Sequence, residues 1–339
     1  MKIKMQMSKG TKSLGLAALA TATILSASPA LAVDPLGENW CEGYRIRFMA
    51  GGSEGDTFAS VVQAGGEQAA MDTGATLEVI FSGWDSEKMV QQMREATAQG
   101  VDAIVTYGFP GTAALTPIAE TASQNGIRMA YMNSPVPDVT AEFGGAFVGV
   151  HNLYEQGQAL GLESIRRFDL KSGDNVAVLV PLDQKERSQR EVGAVDAFRE
   201  AGLIVEEIPN KNEYGGEPNL AIPVITAVIA KIPDLKAIVY AGGQQLGNAE
   251  AYMTAAGKGP GEVINIGFDA SPQIIDGFEK GWVQLTADQQ PFMQGYLPVL
   301  SLCQQEFIGL TPIDVETGAG FITPDNYKQV GELALRGLR

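Results

Sequence analysis

Asp288, Gln289 and Gln290 stand in a row before Pro291, at the seam between the apolar run "GWVQLTA" and the helical run "MQGYLPVLSL". Similar polar segments punctuate the chain: "GGSEGDTF" (51–58), "SGWDS" (82–86), "GFPG" (108–111), "NSPVP" (133–137), "HN" (151–152), "PLDQKERSQR" (181–190), "NKNEYGGEP" (210–218), "GGQQLG" (242–247) and "FDASP" (268–272). Asp, Asn, Gln, Ser and Arg dominate them, with Phe, Trp and Tyr interleaved. Planar amides and carboxylates pair with vicinal hydroxyls, and an aromatic face stacks on the apolar C–H face of a ring. The inventory suits recognition of a neutral polyol.

Single residues in these segments carry two readings. Asp56 either caps a helix or faces a ligand, and Phe58 either packs in the core or does the same. Arg190, opening "REVGAVDAF", is a solvated cation or a ligand donor. Asp269 closes the very apolar run "VINIGF", where a carboxylate caps or functions.

Other chemistries lack their patterns. "AGGSEG" has GGxxG spacing, and no acid ends the second apolar run near Ser82, so dinucleotide binding is not expected. "GKGPG" (257–261) lacks Lys-Ser/Thr after its glycines and reads as a turn. The single histidine, His151, excludes a His-rich zinc site, and no GxSxG elbow accompanies it. It is read as a capping or cleft-lining residue. No carboxylate spacing marks a hydrolytic pair. Neither catalytic residue, metal nor cofactor is expected.

What positions these loops is an alternation of short β-rich runs and helical runs. "RIRFMA", "TLEVIF", "VDAIVTY" and "IRMAYMN" read as strands separated by helices, including "TFASVVQAGGEQAAMDT" and an Asp85-capped "SEKMVQQMREATAQ". The pattern then starts again at "AFVGV" and continues through "NVAVLVP", "LIVEEIP", "KAIVYAG", "VINIGFD" and "WVQLTAD". Such alternation predicts parallel sheets covered on both faces, and ten units predict two doubly wound α/β lobes. No Gly/Ser-rich or Pro-rich linker separates them, so short strand crossings must join them. Ligands of such folds meet the carboxyl ends of the strands, where the polar loops lie.

The first residues carry an address. Lys2, Lys4, Lys9 and Lys12 precede "LGLAALATATIL", and "SPALA" offers small residues at Ala30 and Ala32. Residues 1–32 are expected to be a signal peptide cleaved before Val33, which implies export, with an uncleaved membrane anchor as the other reading. Its loss would leave 307 residues and take the formal charge from −16 to −20, because the segment holds four lysines and no acid. That acidity argues against a nucleic-acid partner. Export makes a bond between Cys41 and Cys303 chemically possible, with two buried thiols as the other reading.

With these segments assembled, the chain resembles the sugar-type periplasmic solute-binding proteins of ABC importers, the type I, ribose-binding-like family. "GDTFASVV", "RMAYMNSP", "INIGFDASPQIIDGFEKG", "ADQQPFMQGYLPV" and "TGAGFITPDN" carry the likeness, which runs from Tyr44 to Val330. It implies a type I periplasmic binding protein: two lobes joined by a three-segment hinge that close on a ligand. It places the crossings near 138–146, 286–291 and 317–322. The implied N-terminal lobe is 44–140 plus 290–318, and the C-terminal lobe 141–289 plus 319–339. The implied ligand set is Asp56, Phe58, Asn133, Arg190, Gln244, Asp269 and Gln289. Thr57 and Ala59 stand where the family carries Pro and an aromatic, and "GGQQLG" where it carries Gly-Pro-Thr-Gly. One stacking face is thus missing, and Trp84 or Phe109 could supply it.

The implied function is capture of a monosaccharide or small polyol in the periplasm and its delivery to a membrane ABC permease, by a monomer without enzymatic activity. The alternatives are a secreted sensor that presents ligand to a chemoreceptor or histidine kinase, and an exported glycosidase.

Overall fold

The structure is a computed structural model that describes residues 36–182, 184–185, 187–318 and 320–339. The expected signal peptide, 1–32, lies outside the described residues. In chain order the first lobe runs β1 (Arg45–Gly51), α1 (Thr57–Thr73), β2 (Thr76–Phe81), α2 (Ser86–Gln99), β3 (Ala103–Tyr107), α3 (Thr112–Gln124), β4 (Arg128–Asn133), α4 (Pro137–Phe143) and β5 (Ala146–Gly149). The second runs α5 (Leu153–Phe168), β6 (Asn175–Val180), α6 (Gln189–Glu200), β7 (Ile204–Pro209), α7 (Glu213–Gly216), α8 (Ile222–Lys231), β8 (Leu235–Val239), α9 (Gly243–Gly247), α10 (Ala249–Ala255), β9 (Ile264–Phe268), α11 (Pro272–Glu279) and β10 (Leu285–Asp288). The chain then returns through α12 (Pro291–Phe307) and β11 (Asp314–Glu316), and ends with β12 (Gly320–Ile322) and α13 (Tyr327–Ala334).

Local chemistry sets these boundaries. Asp56 Oδ1 accepts from the backbone N–H groups of Phe58 and Ala59 and starts α1, while Asp85 caps α2 by accepting from Lys88 N. Every residue of β3, "AIVTY", is buried, as a central parallel strand requires. The sheets have matching orders, β2-β1-β3-β4-β5-β11 and β7-β6-β8-β9-β10-β12, with only β12 antiparallel to its neighbour among the described strands. Each reverses direction of growth once, at β1/β3 and at β6/β8, which is where such folds leave a crevice.

Helix α12 follows a strand of the second sheet but packs on α1 of the first lobe. The approach is close enough that a Cβ on Gly65 would fall 2.0 Å from Phe292 O, and one on Gly295 1.9 Å from Val62 O. The glycines inside "VQAGGEQ" and "FMQGYL" are therefore a helix contact, despite their cost in a helix interior. Cys41 and Cys303, both fully buried, are bonded, with Cα atoms 5.7 Å apart. The bond pins α12 to the segment before β1.

One boundary differs from expectation. "AFVGV" does not open the second lobe: β5 pairs with β4 and β11 and stays in the first sheet. Residues 138–146 hold most of α4, and the first crossing is residues 150–152. A four-residue apolar run has no preference for either sheet, and the deciding feature is a backbone approach. A Cβ on Gly149 would lie 2.6 Å from Asn133 N and O, so a glycine is needed where β5 closes on the end of β4. The other crossings are residues 289–290, between β10 and α12, and 317–318, after β11. Strands β11 and β12 escaped the sequence reading because three residues are too few to show a period.

Candidate functional site

The carboxyl ends of β1, β3 and β4 face those of β6, β8 and β9 across one cavity of about 750 Å³, including its opening to solvent. Asp56, Phe58, Trp84, Phe109, Asn133, Arg190, Gln244, Asp269 and Gln289 all line it.

The first lobe contributes an aromatic wall. Trp84 lies 6.0 Å from Phe58, 6.1 Å from Phe109 and 5.3 Å from Tyr107, centroid to centroid. Its indole N–H donates to Asp56 Oδ2 at 2.9 Å. Asp56 thus spends one oxygen on the α1 cap and part of the other on Trp84, and its first task is to hold the wall. Burial pushes the Asp56 carboxyl above its usual range, the Ala59, Trp84 and Phe58 hydrogen bonds oppose this, and Asp269 across the cavity adds to it. Trp84 also points towards the other lobe: a Cβ on Gly215 would sit 3.4 Å from its Cδ1, so the two lobes approach closely at this wall.

The second lobe contributes a charged wall. Arg190 is 4 % exposed, with its guanidinium carbon 4.1 Å from the centre of the Phe268 ring. Its Nε donates to Glu191 Oε1 at 3.0 Å and its Nη2 to Ala241 O at 2.5 Å. Arg187 makes a parallel pair, Nη1 to Glu191 Oε1 at 2.7 Å and Nη2 to Ala241 O at 2.5 Å. One buried carboxylate and one carbonyl thus orient two forked cations. Burial and the neighbouring Arg187 lower the Arg190 pKa, while Glu191 and Asp269 raise it.

Gln289, in the second crossing, joins the walls. Its Oε1 accepts from Asn133 Nδ2 at 3.1 Å, and its Nε2 donates to Asp269 Oδ1 at 2.5 Å. Asp269 Oδ2 accepts from Gly243 N at 2.9 Å, at the start of the α9 segment that carries Gln244. Asn133, Asp269, Gln290 and Trp84 adopt left-handed backbone, with φ of 69°, 77°, 53° and 61°. Such conformations are rare outside glycine and concentrate at functional sites. Next to Gln289, Asp288 Oδ1 accepts from Gln290 N at 2.9 Å and its Oδ2 pairs with Arg339 Nη2 at 2.6 Å. Burial raises the Asp288 pKa, with Arg339 opposing.

Sequence reasoning did not single out Arg187, Gln184, Asn210, Asn212 or Gln245, which also line the cavity. Gln245 Nε2 donates to Asn210 Oδ1 at 2.7 Å and Gln184 Nε2 to Asn212 Oδ1 at 2.6 Å. All lie in the loops at the strand ends, but nothing in the spacing separates Arg187 from a solvated cation. Among the described residues no group of three or more His, Cys, Asp or Glu could hold a metal ion.

A family model described as "periplasmic binding protein domain" matches residues 48–306. Over 255 residues the chain is 25% identical to the xylose/arabinose-binding protein XylF of Sulfolobus acidocaldarius. That alignment takes in 71% of this chain and spans 61% of the relative's length. A carbohydrate transporter from Acidothermus cellulolyticus, in complex with myo-inositol, superposes with a TM-score of 0.73 at 23% identity, over 87% of this chain and 99% of that one. An ABC transporter solute-binding protein from Burkholderia graminis, in complex with D-arabinose, gives 0.73 at 18% identity, over 84% and 97%. At these identities the structural likeness is one of fold.

Proposed function

Because the chain belongs to the periplasmic binding protein domain family, which covers residues 48–306, we propose that it captures a neutral monosaccharide or small polyol between its lobes and delivers it to an ABC permease in the periplasm. The carrying observation is the pairing of walls: an aromatic face from one lobe opposes two oriented guanidinia and a carboxylate from the other. The names of the relatives, with xylose, arabinose and myo-inositol, fit that pairing.

In this reading the sugar's C–H face lies on Trp84, with Phe58 and Phe109 completing the wall. Arg190, Arg187 and Asp269 take its hydroxyls from the second lobe, and Asn133 takes one from the first. Charge-assisted bonds contribute roughly 1.5–3 kcal/mol each, so the second lobe supplies most of the polar affinity. Asp56 holds Trp84 in place and offers its remaining lone pair. Each half-site is incomplete alone, so ligand binds the closed form better and shifts the population towards it. The step is clamping, with no covalent chemistry.

A thermal-shift screen of the mature protein against pentoses, hexoses and polyols tests this. At least one sugar is expected to raise the melting temperature and to be recovered unaltered by mass spectrometry. No shift with any of them, or a product in place of the sugar, overturns the reading.

A further inference from the structure

His151 is the chain's single histidine, and it stands in the first crossing. Its Nδ1 lies 2.9 Å from Glu316 Oε2, and its Nε2 lies 2.5 Å from Asp314 Oδ1. Ionised carboxylates only accept hydrogen bonds, whereas a neutral imidazole has one N–H and one lone pair. With a neutral ring, one of the two contacts would oppose lone pair to lone pair. Both are attractive only when the ring carries both protons, so the geometry is that of an imidazolium. The hydrogen bond to Asp314 raises the pKa above the ordinary histidine value, partial burial opposes this, and Glu316 reinforces it.

The carboxylate of Glu316 has further work. Its Oε2 also accepts from His151 N at 2.8 Å, and its Oε1 accepts from Gly318 N at 2.6 Å. Gly318 belongs to the third crossing, and its carbonyl accepts from Gln156 Nε2 of α5, in the second lobe, at 3.2 Å. Thr317 N donates to Gly149 O at 2.8 Å, beside the same pair of crossings. Glu316 therefore binds one crossing to another, and the His151 ring adds a charged fastening to each acid of β11. From β5 the ring meets Phe147, at 5.3 Å between centroids, which does not titrate. Among the described residues the charged groups acting on it are Asp314 and Glu316, with none from α5. The ring is 42% exposed, so it exchanges protons with the surrounding medium.

We propose that His151, Asp314 and Glu316 form a proton-operated clasp between the first and third hinge crossings, which favours the closed arrangement when the ring is charged and releases it when the ring is neutral. The direction follows from the contacts, which are made in the arrangement that brings Trp84 of one lobe near Gly215 of the other. The clasp rests on hinge motion of the two lobes and not on the identity of the ligand. A histidine whose folded-state pKa is raised contributes stabilisation that is full below its unfolded value of about 6.5 and is lost as pH rises through the raised value. The fastening by the ring is thus complete at the acid end of that window.

The test uses no sugar, so its outcome is separate from that of the binding screen. Mature protein without added histidines, labelled selectively at histidine, has one ring to titrate by NMR. Its midpoint is expected above about 6.5, and to fall in Asp314→Asn. Small-angle scattering of the ligand-free protein over the same pH range reads the hinge. The radius of gyration is expected to rise across the NMR midpoint in the wild type and to stay flat in His151→Gln. Should His151→Gln not fold, Asp314→Asn serves, because it leaves the backbone bonds of Glu316 intact and should move the scattering step with the NMR midpoint. A midpoint at or below the ordinary value, a flat wild-type radius, or an unaltered step in the variant overturns the clasp.

Discussion

Asp269→Asn probes the joint between the ligand walls and the hinge. The Asp269 oxygens accept from Gln289 Nε2 and from Gly243 N. Asparagine keeps the shape, tolerates the left-handed backbone at φ 77° and retains one acceptor. Its other terminus becomes a donor, so whichever way it turns, either Gln289 or Gly243 meets a donor. The carboxylate charge beside Arg190 also goes. Loss of one sugar hydroxyl's bond to the charged carboxylate corresponds to about 1.5–3 kcal/mol. At about 1.4 kcal/mol per tenfold, affinity for the best sugar of the screen should fall roughly ten- to hundredfold. Titration calorimetry on wild type and variant reads this, and urea unfolding of the ligand-free proteins reads the structural share. An unchanged Kd beside a lowered urea midpoint would make Asp269 a hinge brace only and refute its place in recognition. Asp269→Ala is a poorer test: it orphans both donors and puts alanine in a left-handed conformation, so loss of fold would mask loss of binding.

Three further outcomes are expected. Replacing Cys41 and Cys303 together by alanine should lower stability by about 2–5 kcal/mol, because the bond closes most of the chain into a loop; an unchanged urea midpoint would contradict it. Gly65→Ala should separate α1 from α12 and cost about 1–3 kcal/mol or more, seen as a lower melting temperature; a neutral effect would show that the helices slide freely. Trp84→Phe removes the donor from Asp56 Oδ2 and should raise the Asp56 pKa further. For a carboxyl with a raised folded-state pKa, stability is lost as pH rises through that value, so the variant should lose stability with rising pH more steeply than the wild type. Parallel pH–stability curves would sink the tether between the two residues.

The fold was legible because periodicity and capping are local. Val/Ile-rich runs separated by helices announce parallel strands, and Asp56 and Asp85 mark helix starts whichever lobe they belong to. The lobe boundary at Gly149 was not legible, because it depends on how close two backbones come, and Asn133 is sixteen positions away in the chain. At the site, the strand-end loops could be named in advance, since that is where doubly wound folds expose side chains. The division of labour within them could not. Asp56 as tether of Trp84, Glu191 as a shared counter-ion for Arg187 and Arg190, and Gln289 as a bridge are pairings between distant segments. The left-handed backbone at Trp84 and Gln290 has no sequence signal at all, since neither residue type favours it.

The central claim is that one ligand is held by both lobes at this cavity. Amide hydrogen exchange of the mature protein, with and without the best sugar of the screen, tests it most directly. Protection is expected at strand ends of both lobes, around Asp56, Trp84 and Asn133 on one side and around Arg190, Gly243 and Asp269 on the other, together with the crossing at Gln289. Protection confined to one lobe, or lying away from these loops, would contradict the claim.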